Sequence, residues 1–389
     1  MTFPKPLAVR KPLRGFSMIE LMVAMAIGLA FIVVVLSVYL SSKTAFRRTE
    51  ELSGLQAAAR NAFEYVGFDA RQAGMLGCQL GGDKGITKNA SPDLSNDFLV
   101  PVQGFNAAVD PVFDQTGTND ASKWTANTAP VGSPSKPVFN SSGSGLPNNI
   151  SIGSDVLFLR GPSTSIPLRL TESANPAVST TTVKVEGTTS GSCASGLCAN
   201  SFAMITNCTE GAIVQVNNLS NATKITTLTL KSPGMGSLNE FKVDRSEVFP
   251  MQTVVYYVAP ASNGTTQSLY RHRFDGSIAT GTREELIEGV ENMQITYGVD
   301  NATANADASP DYTVDVYQTA NAVADWGTVL SIKIALVVRA PQPLTGGLAG
   351  PGSDTANGVT VTYADTKYDR RVFTNVIALR NRIPYAAAP

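Results

Sequence analysis

The chain has 389 residues, of which 43% are hydrophobic, so it can bury a sizeable core, and its length allows two or three domains. Charged residues make up only 16%, below the roughly 25% of an average soluble protein, and Ser, Thr, Asn and Gly fill the gap. That balance suits a secreted or surface β-protein better than a cytosolic enzyme, and a formal net charge of −1 argues against a general nucleic-acid binder, which is normally basic.

Residues 1–15 read MTFPKPLAVRKPLRG, with Lys5, Arg10, Lys11 and Arg14 and no acid. Positive charge ahead of an apolar segment keeps that end in the cytoplasm. The apolar run over 16–40 is about 25 residues long, more than the ~20 a helix needs to span a bilayer. A secretory signal has its small-residue cleavage site after a shorter apolar core. Here the small residue, Gly15, comes first, so a cut there removes the leader and keeps the membrane helix.

Glu20 is the only charge in the run. A carboxylate costs roughly 2.5–3.5 kcal/mol at the centre of a membrane helix and less near an end, where the helix dipole returns a few tenths of a kcal/mol. A cut after Gly15 makes the amine of Phe16 a second charge close by, and a neighbouring subunit's amine could then pair with Glu20. The alternative is a signal-anchor with one tolerated acid.

No proline occurs between Phe16 and Pro92. Leu52, Leu55, Ala59, Ala62, Val66, Ala70 and Ala73 recur at spacings of three and four and form one helix face. Arg47, Arg48, Glu50, Glu51, Arg60, Glu64 and Arg71 occupy the other. Helix signals fade at Gly74 and Gly77. The spacing predicts one helix over about 16–76, roughly 90 Å long. Gly28 and Gly54 are its weak points, or else positions of close packing.

Beyond residue 90, short β-like runs lie between Gly, Pro, Asn and Ser clusters, at 149–160, 182–186, 202–206, 212–216, 224–231, 252–258, 268–273, 293–299, 313–317, 330–339, 359–363 and 372–380. Alternation within them argues for antiparallel sheet. Residues 283–291 form a short helix or an extended lead-in, and 106–144 and 341–357 read as irregular loops.

The arrangement GFSMIELMVAMAIGL at 15–29 closely resembles the type III signal of type IV prepilins and type II secretion pseudopilins. The resemblance implies cleavage by prepilin peptidase between Gly15 and Phe16, N-methylation of Phe16, and a role for Glu20 in assembly through an adjacent subunit's N-terminus. Further phrases, AGMLGC (73–78), AMITNCTEGAIVQV (203–216), ELIEGVENMQITYGVD (285–300), ADWGTVLSIKIALVVRA (324–340) and RRVFTNVIALRNR (370–382), resemble in order and spacing the PilW family of minor type IV pilins.

That resemblance implies an α+β pilin-like fold. A leader (1–15) precedes a membrane-spanning and assembly helix (16–40), its amphipathic continuation (41–76) and a mostly antiparallel β domain (77–389). It implies a minor pilin that takes part in priming and assembling a type IV pilus. The same resemblance implies a place in the inner membrane with the body in the periplasm, then in the pilus near the tip, with the other minor pilins and the major pilin as partners. A J-type minor pseudopilin of type II secretion, or an adhesive tip pilin using the two loops, is the alternative.

Four cysteines, Cys78, Cys193, Cys198 and Cys208, fit disulfides in an oxidising compartment better than free thiols, and those better than zinc, and four allow three pairings. In the family reading a Cys78–Cys208 bridge ties the helix to the body and Cys193–Cys198 closes a small loop. No cofactor, metal or nucleic-acid partner is expected. A catalytic base could only be His272, which reads as a surface strand residue in YRHRF. The Asx-rich stretch 300–311 lacks EF-hand spacing and reads as a turn rather than a calcium loop.

Overall fold

The computed structural model describes residues 15–77, 86–88, 97–107, 124–125, 149–163, 166–174, 182–187, 189–190, 193–194, 196–207, 209–222, 224–231, 241–264, 266–274, 281–301, 311–344 and 347–382. One helix, α1 (Met18–Gln72), runs unbroken through Gly28 and Gly54, with open space beside both glycines. Compactness divides the chain at residue 53 into two units.

In the first unit every residue from 15 to 50 is exposed. Here α1 is long and apolar enough to cross a membrane.

The second unit, from Gly54, holds the rest of α1 and a mostly antiparallel β domain, so the architecture is α+β with a pilin-like arrangement. Its larger sheet is built around the strand Glu247–Pro260, which pairs with Val156–Pro162, Phe202–Thr206 and Gln267–Phe274. Thr282–Glu288 adds to Gln267–Phe274, so the 283–291 segment is a strand there rather than a helix. Gly211–Ala222, Ile225–Leu230 and Thr182–Glu186 extend the other end, and Ile86–Lys88 joins Gly211–Ala222 in parallel. A four-stranded sheet follows the order Val316–Gln318, Val290–Val299, Val329–Pro343, Tyr368–Ala378.

Leu55, Ala59, Ala62, Val66 and Ala70 of α1, with Ala73 just past its end, share one core with Leu157, Leu159 and Val254 of the larger sheet and with Met293, Ile295, Ile332, Ile334 and Leu336 of the smaller. Four alanines in that stripe let the helix lie close to the sheets. Gly161 serves the same end: a Cβ there would stand 2.7 Å from the carbonyl oxygen of Gln72. Burial of such apolar surface stabilises by roughly 25 cal/mol per Å², and it is what keeps this half of the helix folded.

The helix is shorter than its sequence suggests at both ends. Ser17 caps it at the start, and Gly74, at φ 72°, turns the chain out of it at the end. The 341–357 stretch is only partly irregular. The Val329–Pro343 strand reaches into it as far as Pro343, past a register shift that accommodates the prolines, and Ser353–Ala356 pairs with Val359–Thr362. Asn357 (φ 48°) and Gly358 (φ 85°) make the Asn-Gly turn between them. Of the 106–144 stretch, Asn106 and Ala107 end the strand Val102–Ala107 and pair with 124–125, and the remainder lies outside the described residues.

Candidate functional site

The N-terminal motif forms a capping box. Ser17 stands just before the first helical residue, and its hydroxyl oxygen accepts the Ile19 N–H at 3.3 Å. Glu20, three positions into α1, reaches back and accepts the Ser17 N–H at 3.2 Å. Two of the four N–H groups that a helix start leaves open are thereby satisfied. The S-x-x-E spacing at 17–20 is the sequence signal for this. Phe16, immediately outside the cap, is 88% exposed. Gly15, Phe16 and Glu20 thus lie within one turn of the helix start, on an exposed apolar rod.

In the second unit a polar cluster fastens α1 to the larger sheet. Asp69 lies inside the apolar stripe and is buried. The Tyr256 hydroxyl donates to its Oδ2, with the Tyr65 carbonyl oxygen a second acceptor at 3.0 Å. Arg271 approaches the same carboxylate at 3.4 Å, lies over the Tyr65 ring and pairs with Glu284 at 2.7 Å. Burial first, then the Asp69 charge, pushes the Tyr256 hydroxyl well above its ordinary range, so it acts as a donor throughout. Glu284 is also desolvated, but hydrogen bonds from Arg271 and Arg273 outweigh that and hold its carboxyl below the usual range.

The end of α1 is held by the C-terminal segment. The Asn381 side-chain amide donates to the carbonyl oxygens of Arg71 and Ala73, each at 3.0 Å, two acceptors the helix cannot fill itself. The Gly74 N–H donates to the Arg160 carbonyl.

A second buried cluster joins the phrases of the C-terminal third. Arg370 pairs with Glu291 at 2.7 Å, both side chains 2% exposed, and Arg339 lies 3.4 Å from the same carboxylate. Arg370 stacks over Tyr363 and Arg339 over Tyr368. Asp155, wholly buried, accepts the N–H groups of Ala107 and Ile295 and so links the two sheets. Burial pushes its carboxyl up to about 7 against the pull of those two donors.

Cys193 and Cys198 form a disulfide across two short paired strands. Cys78 and Cys208 lie outside the described residues. His272 is on a strand but not at the surface. It is 3% exposed, because strand alternation places it on the same face as Tyr270 and Phe274, and its ring meets Phe274 edge-on. Burial first, then Arg283, lowers its pKa. No group of three or more metal-ligating side chains occurs among the described residues. Asp300 and Asp311 accept turn N–H groups from Tyr312 and Thr313, and Asn305 and Asp307 lie outside the described residues.

A long exposed apolar helix that opens on a Gly–Phe junction, with a glutamate in its first turn and an antiparallel β body behind it, is the organisation of a pilin. Residues 255–381 match the family model described as Type IV Pilus-assembly protein W, and residues 10–36 match the prokaryotic N-terminal methylation motif. The two matches are consistent with a PilW-like minor pilin of the type IV pilus. Both families are pilus structural or assembly components, and the motif implies processing by prepilin peptidase and partners in pilus assembly. No curated protein and no solved structure matches the chain.

Proposed function

We propose that this chain is a minor pilin that takes part in priming and assembling a type IV pilus. In this reading prepilin peptidase cuts between Gly15 and Phe16, Phe16 is N-methylated, and the helix passes from the inner membrane into the filament. The leader is 1–15, the membrane and assembly helix 16–40, its continuation 41–76 and the periplasmic body 77–389. Glu20 then meets an adjacent subunit's N-terminus, and the subunit stands near the pilus tip with other minor pilins and the major pilin.

The observation that carries this reading is the exposure of the motif. Phe16 and Glu20 are exposed, and the apolar face that follows has no cover among the described residues. That much apolar surface needs lipid or neighbouring helices around it. The intact mass of the membrane-extracted protein tests the processing: residues 1–15 should be missing and one methyl group gained. Glu20→Ala should leave membrane insertion intact and reduce pilus number. A full-length mass, or normal piliation with normal incorporation of the variant, overturns the reading. Peptides of the chain should be found in purified pili, and their presence only in a type II secretion pseudopilus would reassign it.

A further inference from the structure

The strand Tyr368–Ala378 ends the four-stranded sheet. It pairs with Val329–Pro343 on one side and, among the described residues, with no strand on the other. Exposed strand edges are normally blunted by charges, prolines or bulges, because their open N–H and C=O groups can pair with another chain. Thr282–Glu288, the strand that flanks the larger sheet beyond Gln267–Phe274, follows that rule: TREELIE carries four charged residues in seven. The segment VFTNVIA at 372–378 carries none in seven and keeps regular register with its single neighbour. Thr374, Asn375 and Val376 are exposed, Val376 to 50%.

Beside this edge lies a cleft of about 510 Å³, lined on the α1 side by Arg60, Phe63, Glu64 and Arg71 and on the strand side by Phe373 and Asn375. The two phenylalanines give it an apolar part. The charged groups give it one positive charge in excess, two guanidinium groups against the single carboxylate of Glu64. None of the three is in an ion pair among the described residues.

We propose that this edge receives an extended acidic segment of another pilin-type subunit as an added strand, with its acidic side chains in the cleft against Arg60 and Arg71. Strand addition takes affinity from main-chain hydrogen bonds and selectivity from side chains in adjoining pockets. Seven residues at ~3.4 Å each give about 24 Å of edge, along which every second residue turns its N–H and C=O outward. Charge excess in the cleft favours an acidic strand over a basic one. The class of partner rests on the assembly reading above, whereas the open edge and the cleft do not.

A benzophenone amino acid placed at Val376 of the full chain, irradiated in intact cells of the source organism, tests the docking surface. The expected product is a crosslink to an acidic extended segment of a second protein that carries the N-terminal methylation motif. Arg60→Glu with Arg71→Glu should lower its yield at least fivefold, and Arg60→Lys with Arg71→Lys should retain most of it. All four changes are at exposed helix positions, so the lysine pair also controls for folding. Products only with a second copy of this chain, with lipid, or with a protein lacking the motif overturn the proposal. So does an equal yield in the glutamate and lysine variants, or no product at all. The intact mass of the same sample reports cleavage at Gly15–Phe16, so a failure of the assembly reading is seen separately.

Discussion

Tyr256, on the central strand of the larger sheet, donates its hydroxyl hydrogen to Asp69, a carboxylate set inside the apolar stripe of α1. The pair makes the seating of the helix directional. An alanine–leucine stripe alone could slide or rotate by a residue at little cost, whereas Asp69 has its partners, Tyr256 and Arg271, at one position only. Buried charges left unpaired are strongly destabilising, so a shifted helix is penalised.

Asp69→Ala should therefore destabilise the body by about 2–3 kcal/mol, the usual cost of removing a hydrogen-bonded buried charge. The midpoint of urea unfolding, followed by the fluorescence of the buried Trp326, measures this. A change under about 0.5 kcal/mol would show that the apolar stripe alone seats the helix.

Glu20 has two jobs in this reading, closing the cap with Ser17 and pairing with a neighbouring subunit. Glu20→Gln separates them, because glutamine keeps a carbonyl oxygen for the Ser17 N–H but lacks the charge. The variant should fold and insert normally and assemble as poorly as Glu20→Ala, scored by counting pili. Normal pilus numbers with glutamine would assign the residue to the cap.

Asp155 sets a pH dependence of defined sign. Its folded pKa is about 7 against an ordinary 3.8, so the folded chain holds the proton more tightly than the unfolded chain. Acidification from pH 7 towards 4 should add up to about 1.4 kcal/mol per pH unit from this group, a contribution lost as pH rises through 7. His272 works in the opposite sense. Its pKa is lowered in the fold, so below its ordinary 6.5 the unfolded chain takes a proton that the folded chain resists. Comparing wild type with Asp155→Asn at each pH cancels the histidine. The difference in favour of wild type should grow as pH falls from 7 to 5, and a constant difference would refute the assignment.

Asn381→Ala should cost about 1–2 kcal/mol, since two hydrogen bonds to otherwise open helix carbonyls are lost. Asn381→Asp should cost more, because a carboxylate faces the negative end of the helix. Hydrogen exchange of the amides near Gln72, faster in both variants, would localise the effect.

For the cysteines, non-reducing peptide mapping should return Cys193–Cys198 as one linked pair and Cys78–Cys208 as the other. Free thiols at 78 and 208, or crossed pairs, would refute it.

Much of the architecture is legible in the sequence because it rests on periodicity. The predicted stripe is buried from Leu55 to Ala73, but Leu52, which the same periodicity includes, is exposed, and alternation as in 225–230 marks strands buried on one side. What escapes depends on partners distant in the chain. Asp69 reads as one more polar helix residue until Tyr256, 187 positions on, is beside it. Glu291 and Arg370 are 79 positions apart. His272 looks exposed between two arginines, but it lies on the strand face it shares with Tyr270 and Phe274, which is buried. Two local signals were readable: S-x-x-E at 17–20 and Asn357–Gly358 inside a stretch otherwise rich in Gly and Pro. The N-terminal motif is the reverse case, since its meaning lies in its chemistry and not in any fold around it.

The reach of Asn381 back to Ala73 has a consequence for the order of events in synthesis. The helix is made well before the residue that finishes its end, which lies 308 positions later than Ala73. Until then the helix carries unsatisfied carbonyls, and the four-stranded sheet lacks its last strand. A chain interrupted before that point has an uncapped helix end. The Asn381 contact therefore couples the finishing of α1 to the completion of the four-stranded sheet.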